Sequence, residues 1–348
     1  MRIGTFDTEL WRSCLLIAEV AMAHDGSLGT AHAFIDAAAD NGANAIKFQT
    51  HLAAAESSPR EAFRIKVFPQ DSTRYDYWKR TEFTEEQWVM LKRHAEERGL
   101  VFLSTPFSLE AAQMLDRVGV VAWKISSGDI NNAPMLDYLA STGKPFLLST
   151  GMSPWNEISD TVCRLKAKKV EFILFQCNNT YPCPPEKIGL NIINEYRNRF
   201  GIPVGLSDHS ATTAAGIGAF MLGAEAVEVH ITLSKRAFGP DVSSSLTCEE
   251  LKSLASSIRF LETAMENPTD KDVEAENLER MRYLFMKGIV ASKSLKRGKR
   301  LQEADLAYKK PCEGMPAGEY RKIIGQILKN DKNIDDIITW EDIEYENR

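Results

Sequence analysis

The chain has 348 residues, enough to bury a large core as one big domain or two unequal ones. With 44% hydrophobic and 26% charged residues it has the composition of an ordinary soluble globular protein, and a net charge of −6 speaks against nucleic acid or an anionic membrane as partner. No apolar run approaches the ~18 residues of a membrane span, and the opening MRIGTFDTELWRS lacks the charged-then-apolar order of a secretion signal.

From residue 15 short apolar runs alternate with amphipathic ones. Strands are predicted at 15–20 (LLIAEV), 45–49 (AIKFQ), 101–105 (VFLST), 122–126 (AWKIS), 146–150 (FLLST), 171–177 (EFILFQC), 204–207 (VGLS) and 226–232 (AVEVHIT). Helical patterns lie between them, as in FTEEQWVMLKRHAEERG and LEAAQMLDRVG, often with Gly just past the end. Strands separated by helices pair in parallel, and eight such units in about 250 residues match a (β/α)8 TIM barrel. An open doubly wound sheet is the alternative.

Two segments depart from the repeat. The connection after the second strand, HLAAAESSPREAFRIKVFPQDSTRYDYWKR, has the length of a lid or binding loop. The tail has short apolar stretches separated by basic turns, which suggests a small β-rich module. The expected organisation is a barrel over 1–268, a linker over 269–285 and the module over 286–348. The six cysteines (Cys14, Cys163, Cys177, Cys183, Cys248, Cys312) show no CxxC pair or metal spacing, which fits reduced thiols in a cytoplasmic protein.

In such a barrel, chemistry sits at the carboxyl ends of the strands. Glu19 ends strand one, Lys47 and Gln49 strand two, and Lys124, Ser126 and Ser127 strand four. Strand five ends in Ser149 and Thr150, and strand six runs into Asn179 and Tyr181. Ser207, Asp208 and His209 end strand seven, and Glu228 and His230 lie on strand eight. Residues two apart share a face, so Ser207 pairs with His209, Glu228 with His230, and Asp208 points away. On neighbouring strands His209 and His230 could bind one metal ion, and residue types do not choose among Mn, Mg, Co and Zn. Lys47, Lys124, Ser127, Ser149, Asn179 and Ser207 would form a donor-rich pocket for a phosphate and a carboxylate. The plainer readings are hydrogen-bonded structural histidines and structural ion pairs of the lysines with Glu19 or Glu228. His24, His32, His51 and His94 read as structural, and His32 and His94 fall in helices with no partner pattern.

IAEVAMAHDGS, ANAIKFQT, FLSTPFSLEAAQML, WKISSGDINNAPML, GKPFLLSTGM, YPCPPEKIGLN, VGLSDHS, VEVHITL and FGPDVSSSLTCEEL together resemble, in order and spacing, the sialic acid synthases, a family of phosphoenolpyruvate-dependent nonulosonate synthases. The tail IVASKSLKRGKRLQEADLAYKKP resembles their small antifreeze-like (SAF, β-clip) domain. The resemblance implies a TIM barrel plus SAF domain in a domain-swapped homodimer. It implies condensation of phosphoenolpyruvate with an open-chain N-acylated amino-hexose and water, giving a nonulosonic acid and phosphate. His209 and His230 would be the ligands of a divalent metal, Mn2+ first, with Mg2+ or Co2+ as alternatives. Glu19 would stand at the reacting centre, and Lys47, Lys124, Ser127, Ser149, Asn179 and Ser207 would bind phosphoenolpyruvate. Tyr181, Glu228 and Asp241 would hold the sugar. The family's NH motif is Ala23-His24 here, its GPDH is Gly239-Pro240-Asp241-Val242, and a basic residue before His230 is Val229. Lys310 replaces the SAF arginine that reaches the N-acyl group, and lysine lacks that residue's planar fork. N-acetylmannosamine is thus the first acceptor to expect, and a diacetamido-trideoxyhexose of the legionaminate or pseudaminate type is its rival. A hydrolase or aldolase using the same histidines, or a catalytically silent polysaccharide-biosynthesis protein, are the further alternatives.

Overall fold

The computed structural model describes residues 1–7 and 13–344. The chain divides into two compact units, Met1–Asn267 and Pro268–Arg348.

The first unit begins with a short antiparallel hairpin, β1 (Arg2–Ile3) and β2 (Phe6–Asp7). The barrel strands follow: β3 (Leu15–Ala21), β4 (Ala45–Thr50), β5 (Val101–Pro106), β6 (Trp123–Ile125), β7 (Phe146–Ser149), β8 (Phe172–Cys177), β9 (Val204–Asp208) and β10 (Ala226–His230). They pair in parallel in the order β5-β4-β3-β10-β9-β8-β7-β6, and β5 and β6 lie side by side without a ladder, so the barrel is nearly closed. All eight strands fall where the alternation predicts them, and the parallel order is that of the barrel, not of the open sheet.

Parity along the strands divides the molecule. Leu16, Ala18, Ile46, Phe48, Phe102, Trp123, Leu148, Leu174, Leu206 and Val227 face outward into one continuous core with the helices. The alternate residues Leu15, Ile17, Ala45, Val101, Leu103, Leu147, Ile173, Phe175 and Ala226 fill the barrel interior, with Ile3 of the hairpin packed among them. The hairpin has no counterpart in the sequence reading, because two-residue strands carry no period. Gly205 is required by this packing: a Cβ there would stand 2.8 Å from the Phe175 ring and 2.9 Å from the Ala226 carbonyl.

The helices begin on side-chain caps, with Ser27 accepting from the Thr30 N–H and Ser108 from the Ala111 N–H. Thr84/Gln87 and Thr247/Glu250 form reciprocal capping boxes.

The long connection after β4 is ordered. It carries helices Ala53–Glu56 and Arg74–Thr81 and packs Ala53, Phe68, Tyr77 and Trp78 against Met22. Arg80 fastens it, with Nε and Nη2 donating to the Asp71 carboxylate at 2.9 and 2.8 Å and Nη1 to Asp25 Oδ1 at 2.8 Å.

The second unit opens with helices Lys271–Asn277 and Glu279–Phe285, in the stretch 269–285 read as a linker. Next come the antiparallel pairs β11 (Gly288–Ala291) with β12 (Leu306–Lys309) and β13 (Ile327–Leu328) with β14 (Ile343–Glu344). Its own core holds Ile289, Leu295, Leu301, Met315, Ile323, Leu328, Ile338 and Ile343. Among the described residues no helix is long and apolar enough to cross a membrane.

Candidate active site

The inward parity that packs Leu15 and Ile17 continues to Glu19, and that of Ala45 to Lys47 and Gln49. Leu147 leads to Ser149, Phe175 to Cys177, Gly205 to Ser207, and Ala226 to Glu228 and His230. On each strand the inward face is apolar in its first half and polar in its last, so the polar ends converge on one cavity of about 450 Å3. Its lining includes Glu19, Lys47, Lys124, Ser127, Ser149, Asn179, Tyr181, Ser207, His209, Glu228, His230 and Asp241, twelve of the residues singled out from the sequence. The thirteenth, Lys310, is exposed and belongs to the second unit, where its ammonium lies 5.1 Å from the centre of the Phe285 ring.

Two buried ion pairs form the floor. Lys47 Nζ lies 2.8 Å from Glu19 Oε2 and 3.6 Å from Glu228 Oε1, and donates to Thr105 Oγ1 at 3.2 Å. Lys124 Nζ donates to Glu228 Oε1 at 3.0 Å and to Ser149 Oγ at 2.9 Å, and Ser207 Oγ donates to the same Glu228 oxygen at 3.0 Å. The plainer reading of the lysines as ion-pair partners therefore holds together with their place in the cavity. Glu19 Oε2 is taken by the Lys47 ammonium, whereas Glu228 Oε2 is buried without a hydrogen bond. Such a buried oxygen calls for a donor, and a substrate hydroxyl or a water molecule is the natural one.

The two carboxylates differ in proton affinity. Burial raises the Glu19 carboxyl to about 7, against the opposing pull of Lys47. Burial acts on Glu228 in the same sense, but Lys124 and Lys47 outweigh it and hold that carboxyl below its usual range. Burial lowers the Lys124 ammonium, whereas at Lys47 the two glutamates override burial and raise it. One acid is thus poised to exchange a proton near neutrality while its neighbour stays charged.

His209, just past the end of β9, and His230, the last residue of β10, have ring centres 5.2 Å apart. Burial lowers both to about 3, helped by His230 at His209 and by Lys47 at His230, so both rings are neutral and keep a lone pair. His209 Nδ1 donates to the Asn178 carbonyl at 2.6 Å, which leaves Nε2 as the acceptor, here 3.0 Å from the Tyr181 hydroxyl. Two neutral imidazoles, one already oriented through its far nitrogen, are a donor set that fits a divalent cation. Among the described residues no group of three or more His, Cys, Asp or Glu gathers as a metal site, so other ligands would come from substrate and water. Asp208 points out of the barrel, as its parity requires, and accepts from the Ser210 N–H and hydroxyl at 3.0 and 2.7 Å.

Ser127 Oγ accepts from the Gly151 N–H at 2.9 Å and touches Cys177 Sγ at 3.1 Å. A Cβ on Gly151 would collide with Asn179 Oδ1 and Cys177 Sγ, so glycine is the residue that lets this backbone approach the pocket.

Several lining residues escaped the sequence reading. Thr105 and Cys177 share the inward parity of their strands and could have been found by it. Phe63, Arg64, Arg74, Tyr77 and Trp78 come from the long connection, where no period exists to mark them. Arg64 donates to Asp241 Oδ1 at 2.6 Å, and its guanidinium lies 4.3 Å from the Tyr181 ring centre. His51, read as structural, also lines the cavity, and His32 and His94, read as partnerless, approach each other Nδ1 to Nδ1 at 2.8 Å.

The model of the NeuB family matches residues 34–270, more than half of the chain and most of the barrel unit, and the model of the SAF domain matches 287–344. The chain belongs to the NeuB family. As a NeuB-family protein with a SAF domain it is 32% identical to the N,N'-diacetyllegionaminic acid synthase of Campylobacter jejuni, over 94% of this chain and 99% of that one. It is 34% identical to the human N-acetylneuraminate-9-phosphate synthase over 76% of this chain and 74% of that one. Among solved structures it is similar to the N-acetylneuraminic acid synthetase of Leptospira borgpetersenii serovar Hardjo-bovis. That match has a TM-score of 0.70 and 29% identity, and covers 80% of this chain and 95% of that one.

Proposed function

We propose that the protein condenses phosphoenolpyruvate with an N-acylated amino-hexose and water, in a metal-dependent reaction, to give a nonulosonic acid and phosphate. The observation that carries the reading is the pair of buried Lys–Glu couples beside two neutral histidines at the carboxyl end of the barrel. Lys124, Ser149 and Ser127 provide donors for the phosphate, and Lys47 and Thr105 for the carboxylate. Each lysine is already balanced by a glutamate. A substrate with two anionic groups therefore needs more positive charge, which a divalent cation at His209 and His230 would add. When bound, that ion would supply Lewis-acid polarisation of the sugar aldehyde.

In the reaction, a carbon–carbon bond forms between C3 of phosphoenolpyruvate and the aldehyde carbon, whose oxygen takes up a proton. Water adds to C2 and gives up one proton, and as the C2–O bond to phosphate breaks the remaining hydroxyl proton leaves with the phosphate, giving the ketone. Glu19, poised near neutrality and lining the cavity, receives or returns the proton at the water. Glu228 stays ionised, holds Lys124 and Ser207 in place, and offers Oε2 to a sugar hydroxyl. Tyr181 and Asp241 face the cavity where the sugar chain would lie.

The end-to-end similarity to a legionaminic acid synthase favours a diacetamido-trideoxyhexose as acceptor over N-acetylmannosamine. The proposal includes a homodimer. Phosphate release in the presence of phosphoenolpyruvate, Mn2+ and a panel holding both sugars tests the reading. Release with one of them supports it, and silence with all of them refutes it. His209→Ala and His230→Ala should each lower turnover by at least about a hundredfold and weaken Mn2+ binding in calorimetry. Unaltered metal uptake in both variants would remove the ligand assignment.

A further inference from the structure

His51 stands just past β4 at the start of the long connection and is buried. Its ring is clamped between Trp78 and Phe107, with ring centres 3.7 and 4.3 Å away and both pairs stacked within 16° of parallel. Neither ring nitrogen is idle. Nδ1 lies 2.6 Å from Glu56 Oε1, and Nε2 lies 3.3 Å from Gln49 Oε1. The other end of the same amide, Gln49 Nε2, donates to Glu19 Oε1 at 3.2 Å. A continuous chain of contacts thus runs Glu56–His51–Gln49–Glu19 from the connection to the reacting centre.

The chemistry of the donors sets the direction of this chain. When Glu19 is ionised its carboxylate only accepts, so the amide then turns its nitrogen to Glu19 and its oxygen to His51. An oxygen facing Nε2 requires an N–H there, and a carboxylate 2.6 Å from Nδ1 requires an N–H on that side too. In that state both partners present oxygen to the His51 ring, and Trp78 and Phe107 prevent the ring from turning away. Reversing the amide of Gln49 would set its oxygen against the Glu19 carboxylate and its NH2 against the His51 N–H. With Gln49 on Oε1 and Lys47 on Oε2, the Glu19 carboxylate is held in a single orientation beside the cavity.

We infer that His51 is a positioning residue for the condensation. Held by Glu56 and the Trp78/Phe107 clamp, it locks the Gln49 amide so that Gln49 in turn fixes Glu19. The long connection is thereby part of the catalytic apparatus as well as a wall of the cavity. This inference rests on the function proposed above for its kinetic readout, and on hydrogen-bond geometry alone for its second readout.

Two variants separate positioning from packing. His51→Phe keeps an aromatic ring in the clamp and removes both donors. His51→Gln keeps an amide N–H near the place of Nε2. The expected result is a fall in kcat of about ten- to a hundredfold for His51→Phe, with KM for phosphoenolpyruvate within about threefold of the parent and recovery of most of the loss in His51→Gln. Parental kcat in His51→Phe, or equal impairment of the two variants, would overturn the inference. Nitrogen-15 NMR of the histidine-labelled, unsubstituted protein is read independently of turnover. A slowly exchanging, hydrogen-bonded His51 ring N–H supports the inference, and a ring N–H in fast exchange with solvent overturns it. If the unsubstituted protein releases no phosphate with any sugar, the proposed function falls while this spectrum still decides the role of His51.

Discussion

Glu228 shows how much depends on single atoms in this cavity. Its Oε1 accepts from Lys124 and Ser207 and lies 3.6 Å from Lys47, so one oxygen compensates Lys124 and assists Glu19 in compensating Lys47. Removing one member of a buried pair leaves an uncompensated charge, at a cost of about 3 to 5 kcal/mol, whereas replacing both by apolar groups of similar size is often neutral. Glu228→Leu should therefore lower stability by about that amount in urea unfolding. Adding Lys124→Met to it should return most of the loss, although Lys47 still faces the vacated position. The double variant should remain inactive, because the proposed function uses both groups to orient substrate. A double variant no more stable than Glu228→Leu would mean that the pair does not act as a unit. Asp208 is the contrasting case. One residue from His209, it faces the other side of β9 and serves Ser210, so strand parity decides which polar residue faces the cavity.

At the level of elements, the barrel strands were legible because each carries two messages on one face. Leu15-x-Ile17-x-Glu19 and Ala226-x-Glu228-x-His230 state both the inward face and the end that opens to solvent. The connection between β4 and the helix Glu85–Glu97 has no such period, since its order comes from distant partners that sequence spacing does not reveal. Arg80 is the chief of these: it joins Asp71 within the connection to Asp25 on the preceding loop, and its guanidinium lies 5.0 Å from the Phe68 ring centre. Arg80→Ala should free the connection while sparing the barrel, whose core it does not enter. Trypsin should then cleave at Arg60, Arg64 or Lys66 at least several-fold faster, with little change in the main thermal transition. Cleavage at the parental rate would show that the apolar cluster of Phe68, Tyr77 and Trp78 holds the segment unaided.

At the scale of the whole molecule, the barrel was readable from repetition and the SAF domain from its motif, but assembly leaves no periodic trace. What marks it is exposure. In the second unit the helix Glu279–Phe285 leaves Met281, Tyr283, Leu284 and Phe285 between 44% and 59% exposed, an apolar cluster on a segment of only seven residues. Grouped apolar side chains of this kind usually mark an interface, and the polar remainder of the segment gives no reason for a core to lie there. A second copy of the chain is the partner that the proposed homodimer supplies, and the patch predicts how that dimer fails. Leu284→Glu with Phe285→Glu adds charge to positions that carry no core contact, so each chain should fold as before. Sedimentation should then show the unsubstituted protein at twice the 39.0 kDa chain mass and the double variant at the chain mass itself. The charge introduced is repelled only if the patch is covered in the assembly, so a variant still running at twice the chain mass would place the dimer contact elsewhere.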